Sequence, residues 1–195
     1  MTGEEVTDME ERNKSDLESY IFHINRICDM LSDKGSMGKN ATIKECYGKL
    51  GLFASAEDFL IYIYNARVDL VNKGDIKRDV DDIALTALLV ISLYTDTEPK
   101  EIVCAQIDLY KLKNKRYGNS FAECFVKDGY PYAFGHLQEK ANRICSLLTL
   151  NDEAKEEPIL DSYKDLLGYC ILTLVEIGKA EFENDVQGIL NRESH

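Results

Sequence analysis

The chain has 195 residues, 45% of them hydrophobic, and carries 35 acidic against 23 basic side chains for a net charge of −12. That is enough chain for one generous domain or two small ones with a real apolar core. The negative balance argues against direct binding of nucleic acid or of a membrane surface, both polyanionic, but a divalent cation can bridge carboxylates to the phosphates of a small ligand. The opening stretch MTGEEVTDMEERNKSD is acidic and polar, without signal-peptide character, and no apolar run reaches the ~20 residues needed to span a bilayer. Six scattered cysteines, Cys28, Cys46, Cys104, Cys124, Cys145 and Cys170, form no CxxC or close Cys/His pair. They read as reduced, buried thiols of a cytoplasmic protein.

Three prolines and little alternation of the β type leave helical periodicity dominant. Residues 1–14 read as disordered or fraying. A first helix is expected from Ser15, an N-cap candidate with Glu18 three residues on, to about Leu31. Residues 32–42 read as a loop, followed by a short helix through IKECYGKLGLF. SAEDFLIYIYNARVDLVNK (55–73) begins on a serine cap and stops before Gly74, and DIKRDVDDIALTALLVISLYT (75–95) is a long helix whose second half is apolar nearly all round. DTEPK (96–100) is the clearest break, with Pro99 as the stop. Beyond it come a helix through EIVCAQIDLYKLKNK, a turn at Gly118 and a short helix plus loop over AECFVKDGYPYAFG. HLQEKANRICSLLTL (136–150) is a helix, NDEAKEEP a charged loop, and 159–183 the last long helix. The expected fold is an all-α helical bundle. A faint echo pairs Tyr47–Gly48 with Tyr117–Gly118, Arg67 with Arg143 and Asp82 with Asp165. It divides the chain into 15–98 and 99–195, read either as two diverged halves packed as a pseudo-dimer or as chance likeness between amphipathic helix pairs.

On the last helix, Tyr163, Leu166, Leu167, Cys170, Ile171 and Leu174 form an apolar stripe at ~100° per residue. Asp161 and Asp165 lie roughly opposite it, on a face that continues as Gly168, Tyr169, Leu172 and Val175. Two readings stand side by side. Acids in the first turns of a helix complement its macrodipole. Alternatively, two close carboxylates beside a buried wall are relieved by a cation. The preceding helix adds Glu139, Lys140 and Arg143, which form either a solvated face or the rest of a Mg²⁺-triphosphate site, with oxygens on the metal and cations on the phosphates. In KNKRYGNS, Lys113, Asn114, Lys115, Arg116 and Asn119 surround Tyr117–Gly118, as a basic surface turn or a ligand-contacting loop.

The three stretches KNKRYGNSFAECFVKDGY, HLQEKANRICSLL and EEPILDSYKDLLGYCILTLVEI, in that order, resemble the nucleotide-modification-associated domain 1 family of phages and their bacterial hosts. That family looks related to the all-α nucleoside triphosphate pyrophosphohydrolases of the MazG and dimeric dUTPase group. The match runs over about residues 110–177, on Lys113, Asn114, Tyr117, Gly118, Ser120 and Phe121, then Glu139, Lys140, Asn142 and Arg143, then Glu157, Asp161, Asp165, Leu166 and Tyr169. Three positions depart: Gln138 stands where the family usually has Glu, Gly168 where it has Asn, and His136 where Arg is common.

The resemblance implies a Mg²⁺-dependent nucleoside triphosphate pyrophosphohydrolase acting on an ordinary or modified nucleotide. In it Glu139, Asp161 and Asp165 hold the metal and form the catalytic set. Lys113, Lys140 and Arg143 neutralise phosphate oxygens, and Asn114, Tyr117 and Asn119 serve the substrate. The loss of an acid at Gln138 favours a rival, a catalytically inactive protein that captures a nucleotide or nucleotide-like signal, with an anti-defence or regulatory role. A third reading is a helical adaptor whose partner docks on residues 1–100, outside the resemblance. The partner expected in the first two is a nucleotide, with neither nucleic acid nor membrane. Monomer and homo-oligomer both stay open.

Overall fold

The stretch DDIALTALLVIS has no continuous polar face, so a helix built from it has to be covered on several sides. In the computed structural model it is. The structure describes residues 3–33, 36–149 and 156–193, with side-chain surroundings for 11–31, 52, 54–149 and 159–180. Among the described residues the elements are all helices: α1 Gly3–Asp33, α2 Ser36–Asn72, α3 Ile76–Thr95, α4 Pro99–Tyr117, α5 Ser120–Asp128, α6 Tyr130–Thr149 and α7 Glu156–Glu193. The fold is an all-α bundle. Helix α3 is packed by α7, α2, α1 and α4, and it buries Val80, Ile83, Ala84 and the run Ala87–Ile91.

Helices α2–α3 and α6–α7 form two hairpins laid against each other, α2 on α6 and α3 on α7. Each helix of one hairpin thus meets one helix of the other. Tyr163, Leu166, Leu167, Cys170, Ile171 and Leu174 of α7 are all fully buried, as the apolar stripe demanded. They meet Phe59 and Ile63 of α2, Ile83 and Leu88 of α3, and Phe134, Leu137 and Ile144 of α6 in one continuous core. Helix α1 adds Tyr20, Ile24, Ile27 and Leu31, spaced by three and four residues along its inner face. Arg26 grips Asp81 with both terminal nitrogens, so α1 neutralises the buried acid that α3 carries into its packed face.

Punctuation between helices follows local chemistry. Asp75 caps α3 by accepting from the Arg78 backbone N–H at 3.0 Å. Asp96 ends α3 in the left-handed region, and Pro99 occupies the first turn of α4, where its missing N–H costs nothing. Gly118 and Gly129 close α4 and α5 at φ near +60°, a conformation that favours glycine, and each returns its N–H to a carbonyl of the preceding turn.

Several expected boundaries are corrected. Helix α1 begins at Gly3, so Ser15 is an interior, exposed position and not a cap. The residues around it are helical because Asp16 and Tyr20 dock the helix on the bundle. The short helix and the 55–73 helix merge into α2, which also takes in residues 36–42 of the expected loop; the side chains of 32–51, with Cys46 and Tyr47–Gly48, lie outside the described set. Ser55 is internal: its hydroxyl donates to the Leu52 carbonyl at 2.8 Å and meets the Tyr163 hydroxyl at 3.0 Å. Helix α6 begins at Tyr130, six residues before His136, since Pro131 is tolerated in a first turn. Helix α7 runs Glu156–Glu193, longer at both ends than expected. None of the five described cysteines is in a disulfide; Cys28 and Cys170 are buried, but Cys104 is exposed. Among the described residues no helix is long and apolar enough to cross a membrane.

Two consequences can be measured by urea and thermal unfolding. Leu167→Ala removes a fully buried side chain from the α7 stripe and should cost about 2–5 kcal/mol. Tyr163→Phe should cost only about 0.5–1.5 kcal/mol, because Ser55 keeps its bond to Leu52. At the start of α3, burial and the neighbouring carboxylates of Asp69 and Asp82 push Asp79 up to about 6. A carboxyl raised above its unfolded value of ~3.9 stabilises the fold most at low pH and loses that contribution as pH rises through about 6. Asp79→Asn should therefore raise the melting temperature at pH 7.5, with the gain vanishing near pH 4.

Candidate functional site

Tyr110, Lys113, Asn114 and Tyr117 recur at three- and four-residue spacing and share one face of α4; Lys164, Asp165, Gly168, Tyr169 and Leu172 do the same on α7. These faces line an open cavity of about 320 Å³, whose wall is completed by Tyr20 of α1, Phe121 of α5 and Tyr132 of α6. The turn at Gly118 is therefore not a free surface turn. It brings Asn119 and Ser120 into the cavity wall.

The charged rim centres on Asp165. One of its oxygens accepts from Lys113 Nζ at 3.1 Å, and the other lies 3.4 Å from Lys140 Nζ. Lys140 is largely buried, with its ammonium 5.8 Å from the centroid of the Tyr169 ring and 3.4 Å from Glu139. A buried ammonium is retained only where opposite charge and aromatic faces replace its water, and all three neighbours do so. Beside it, His136 stacks on Tyr169 with centroids 4.5 Å apart and planes within 6°, and Tyr132 and Phe121 complete an aromatic box. Burial lowers the His136 pKa; Lys140 adds to that effect while Glu139 opposes it.

A second cluster fixes the opposite wall. Lys179 of α7 bonds Asp16 at 2.6 Å and Glu176 at 2.8 Å, and both carboxylates are buried. Asn119 donates from its side chain to Asp16, so the start of α5 is anchored to α1. Burial works to lower the Lys179 pKa, but the hydrogen bonds to Asp16 and Glu176 outweigh it and the net shift is upward. Burial and the charges of Asp16 and Glu176 push the neighbouring Tyr110 up to about 12.

The residues singled out in the sequence divide clearly. Lys113, Asn114, Tyr117, Asn119 and Asp165 line the cavity. Lys140 supports it from behind Asp165. Glu139 is exposed and joined to the cluster through Lys140 and through His136 at 3.7 Å. Asp161 points away: it is 68% exposed and pairs with Lys164, one turn along, at 3.7 Å. Arg143 is exposed on α6 and lines no part of the cavity. Gln138 is turned along its own helix toward Asn142 at 3.2 Å. Glu157 lies outside the residues whose side chains are described.

Glu139, Asp161 and Asp165 therefore do not converge. Among the described residues no group of three or more His, Cys, Asp or Glu side chains is disposed to hold a metal ion. Only Glu139 and Asp165 approach one common point, each 3.4 Å from the Lys140 nitrogen. Sequence reasoning missed the contribution of α1, namely Tyr20 and Asp16, and that of Gln106 on α4. Their spacing marks only a buried helix face, and nothing local distinguishes a core tyrosine from one at a cavity floor.

Fold and site together define an all-α bundle with an aromatic cavity rimmed by lysines. Compared with protein-family models, curated proteins and solved structures, the chain matches none.

Removing Lys179 leaves two buried carboxylates without their shared cation. Lys179→Met should destabilise the protein by about 1–3 kcal/mol, and adding Asp16→Asn should recover part of the loss in thermal unfolding.

Proposed function

We propose that the chain binds a small phosphorylated ligand with a planar ring, of the nucleotide class, in the cavity between α1, α4, α5 and α7. The observation that carries this reading is Asp165 held between Lys113 and Lys140 at the rim of an aromatic cavity. A phosphate can take the place of Asp165 on these ammonium groups, and Lys113, half exposed, is free to swing. Tyr117, Phe121, Tyr132 and Tyr169 supply ring faces for stacking, and Asn114 and Asn119 supply amides. The ordered motif resemblance over residues 110–177 points the same way.

Capture is favoured over hydrolysis. The three-carboxylate Mg²⁺ set does not fit the positions of Asp161 and Glu139, and no hydrolytic step follows from it. One observation supports the hydrolase as the second reading: transfer of Lys140 from its carboxylates to a phosphate would leave Glu139 and Asp165 facing one gap, each able to donate oxygen to a hard cation.

Calorimetry with deoxy- and ribonucleoside triphosphates, with and without Mg²⁺, beside an assay for released pyrophosphate, separates the two. Lys113→Ala should weaken binding about 10-fold or more, the worth of one charge-assisted hydrogen bond. Under capture, Asp165→Asn frees both lysines and strengthens binding without any turnover in the parent protein. Under hydrolysis, the parent releases pyrophosphate and Asp165→Asn abolishes it. If the parent protein binds no nucleotide at millimolar concentration, the proposal is wrong.

A further inference from the structure

Gly168 lies in the interior of α7, where glycine is less favourable than alanine. Crowding does not explain it. A Cβ added there would sit 3.9 Å from Gln106 Oε1 and 4.0 Å from the Tyr20 hydroxyl, both ordinary van der Waals contacts. What the glycine does is leave those two polar atoms uncovered at the cavity floor.

Both atoms are set for recognition. Tyr20 is 2% exposed, its ring is stacked on Tyr110 at 4.1 Å, and its hydroxyl has no hydrogen-bond partner among the described residues. Burial raises its pKa, so the hydroxyl keeps its proton and can donate. Gln106 is 3% exposed, and its Nε2 donates to the Lys164 carbonyl at 3.0 Å. That bond fixes the amide and turns Oε1 toward Gly168 as an acceptor. Tyr20, Gln106 and Gly168 all line the cavity, so a donor and an acceptor held by buried side chains converge on the gap that a helix-weakening glycine leaves, a place where a ligand can complete the bonding.

Building on the nucleotide reading above, we infer that Tyr20, Gln106 and Gly168 form a specificity subsite for the polar edge of a nitrogen heterocycle. Tyr20 donates to a ring nitrogen or carbonyl, and Gln106 accepts from the adjacent N–H or exocyclic amine. The Watson–Crick edge of every nucleobase carries such a donor beside an acceptor. Gly168 leaves room for that edge. It stands three residues after Asp165, a rise of ~4.5 Å along α7, and Lys113 lines the same cavity, so one molecule can meet both groups of residues. The N-terminal half, through Tyr20, thereby takes part in recognition.

The test is calorimetry of the full chain with each of the four deoxynucleoside triphosphates and with inorganic tripolyphosphate, on the parent protein and on Gly168→Ala, Tyr20→Phe and Lys113→Ala. Gly168→Ala should melt at a higher temperature than the parent yet bind the preferred nucleotide at least 10-fold more weakly, with tripolyphosphate affinity unchanged. Tyr20→Phe should show the same selective loss, and Lys113→Ala should weaken both ligands. Unchanged nucleotide affinity in Gly168→Ala and Tyr20→Phe, with the Lys113→Ala effect intact, would overturn the subsite and leave the nucleotide reading standing. Equal affinity of the parent for tripolyphosphate and all nucleotides would overturn it too. If the parent binds neither class of ligand, the nucleotide reading fails and the subsite with it.

Discussion

Helix α7 has to satisfy opposite demands on its two sides, and the rest of the molecule follows from how it does so. One side is a stripe of six fully buried side chains that lock into α3 and α6. Such a stripe admits no rotation, because turning the helix by one position would drive Asp165 and Lys164 into the core. The rotation is therefore set by the stripe, and with it the direction in which Asp165, Gly168 and Tyr169 face. The candidate site is the reverse side of the strongest packing surface in the bundle. This is a rigid platform, suited to holding polar groups in place.

Charge is arranged on that platform against the grain of the whole chain. The protein carries a net −12, yet Lys113, Lys140 and Lys164 gather around one end of α7, and Lys179 lies about four turns further along. Each is held by a carboxylate: Asp165 by two lysines, Asp161 by Lys164, and Asp16 with Glu176 by Lys179. For Lys140, largely buried, the acids hold a cation in a low-dielectric position that it could not occupy alone, whereas Lys113 and Lys164 stay substantially exposed. The buried Asp16–Lys179–Glu176 group and the Arg26–Asp81 pair extend the same logic to the docking of α1. In a strongly acidic chain, three lysines that balance Asp165, Glu139 and Asp161 make this end of α7 locally neutral, the feature most relevant to anionic ligands.

Much of the fold was legible because helical patterning is a local property. The apolar stripe on α7, the all-apolar second half of α3, the Asp75 start and the stops at Gly118 and Pro99 each depend on residues within a few positions of one another. Errors fell where local signals competed with packing. Ser15 and Ser55 look like caps, but a serine inside a helix can bond back to its own turn, as Ser55 does to Leu52. Tyr130 opens α6 where YPYAFG reads as loop, because Phe134 and Leu137 reward continuing the helix with burial.

The sequence by itself determined the helical class, the inward face of α7 and the set of residues around Lys113–Asn119 and Asp165, since periodicity and turn chemistry are encoded in neighbouring residues. Only the tertiary structure decided which charges meet. Asp161 and Asp165 look alike on a helical wheel, four residues apart. The packing of α4 and α6 against α7 gives Asp165 two lysines and leaves Asp161 in solvent. Likewise, Tyr20 and Gln106 come to face Gly168 only when α1 and α4 dock on α7, across separations in the chain that no local pattern spans. The physical reason is the same in both cases: a side chain's partner across a helix interface is fixed by three-dimensional register, and register is set by how whole apolar faces interlock.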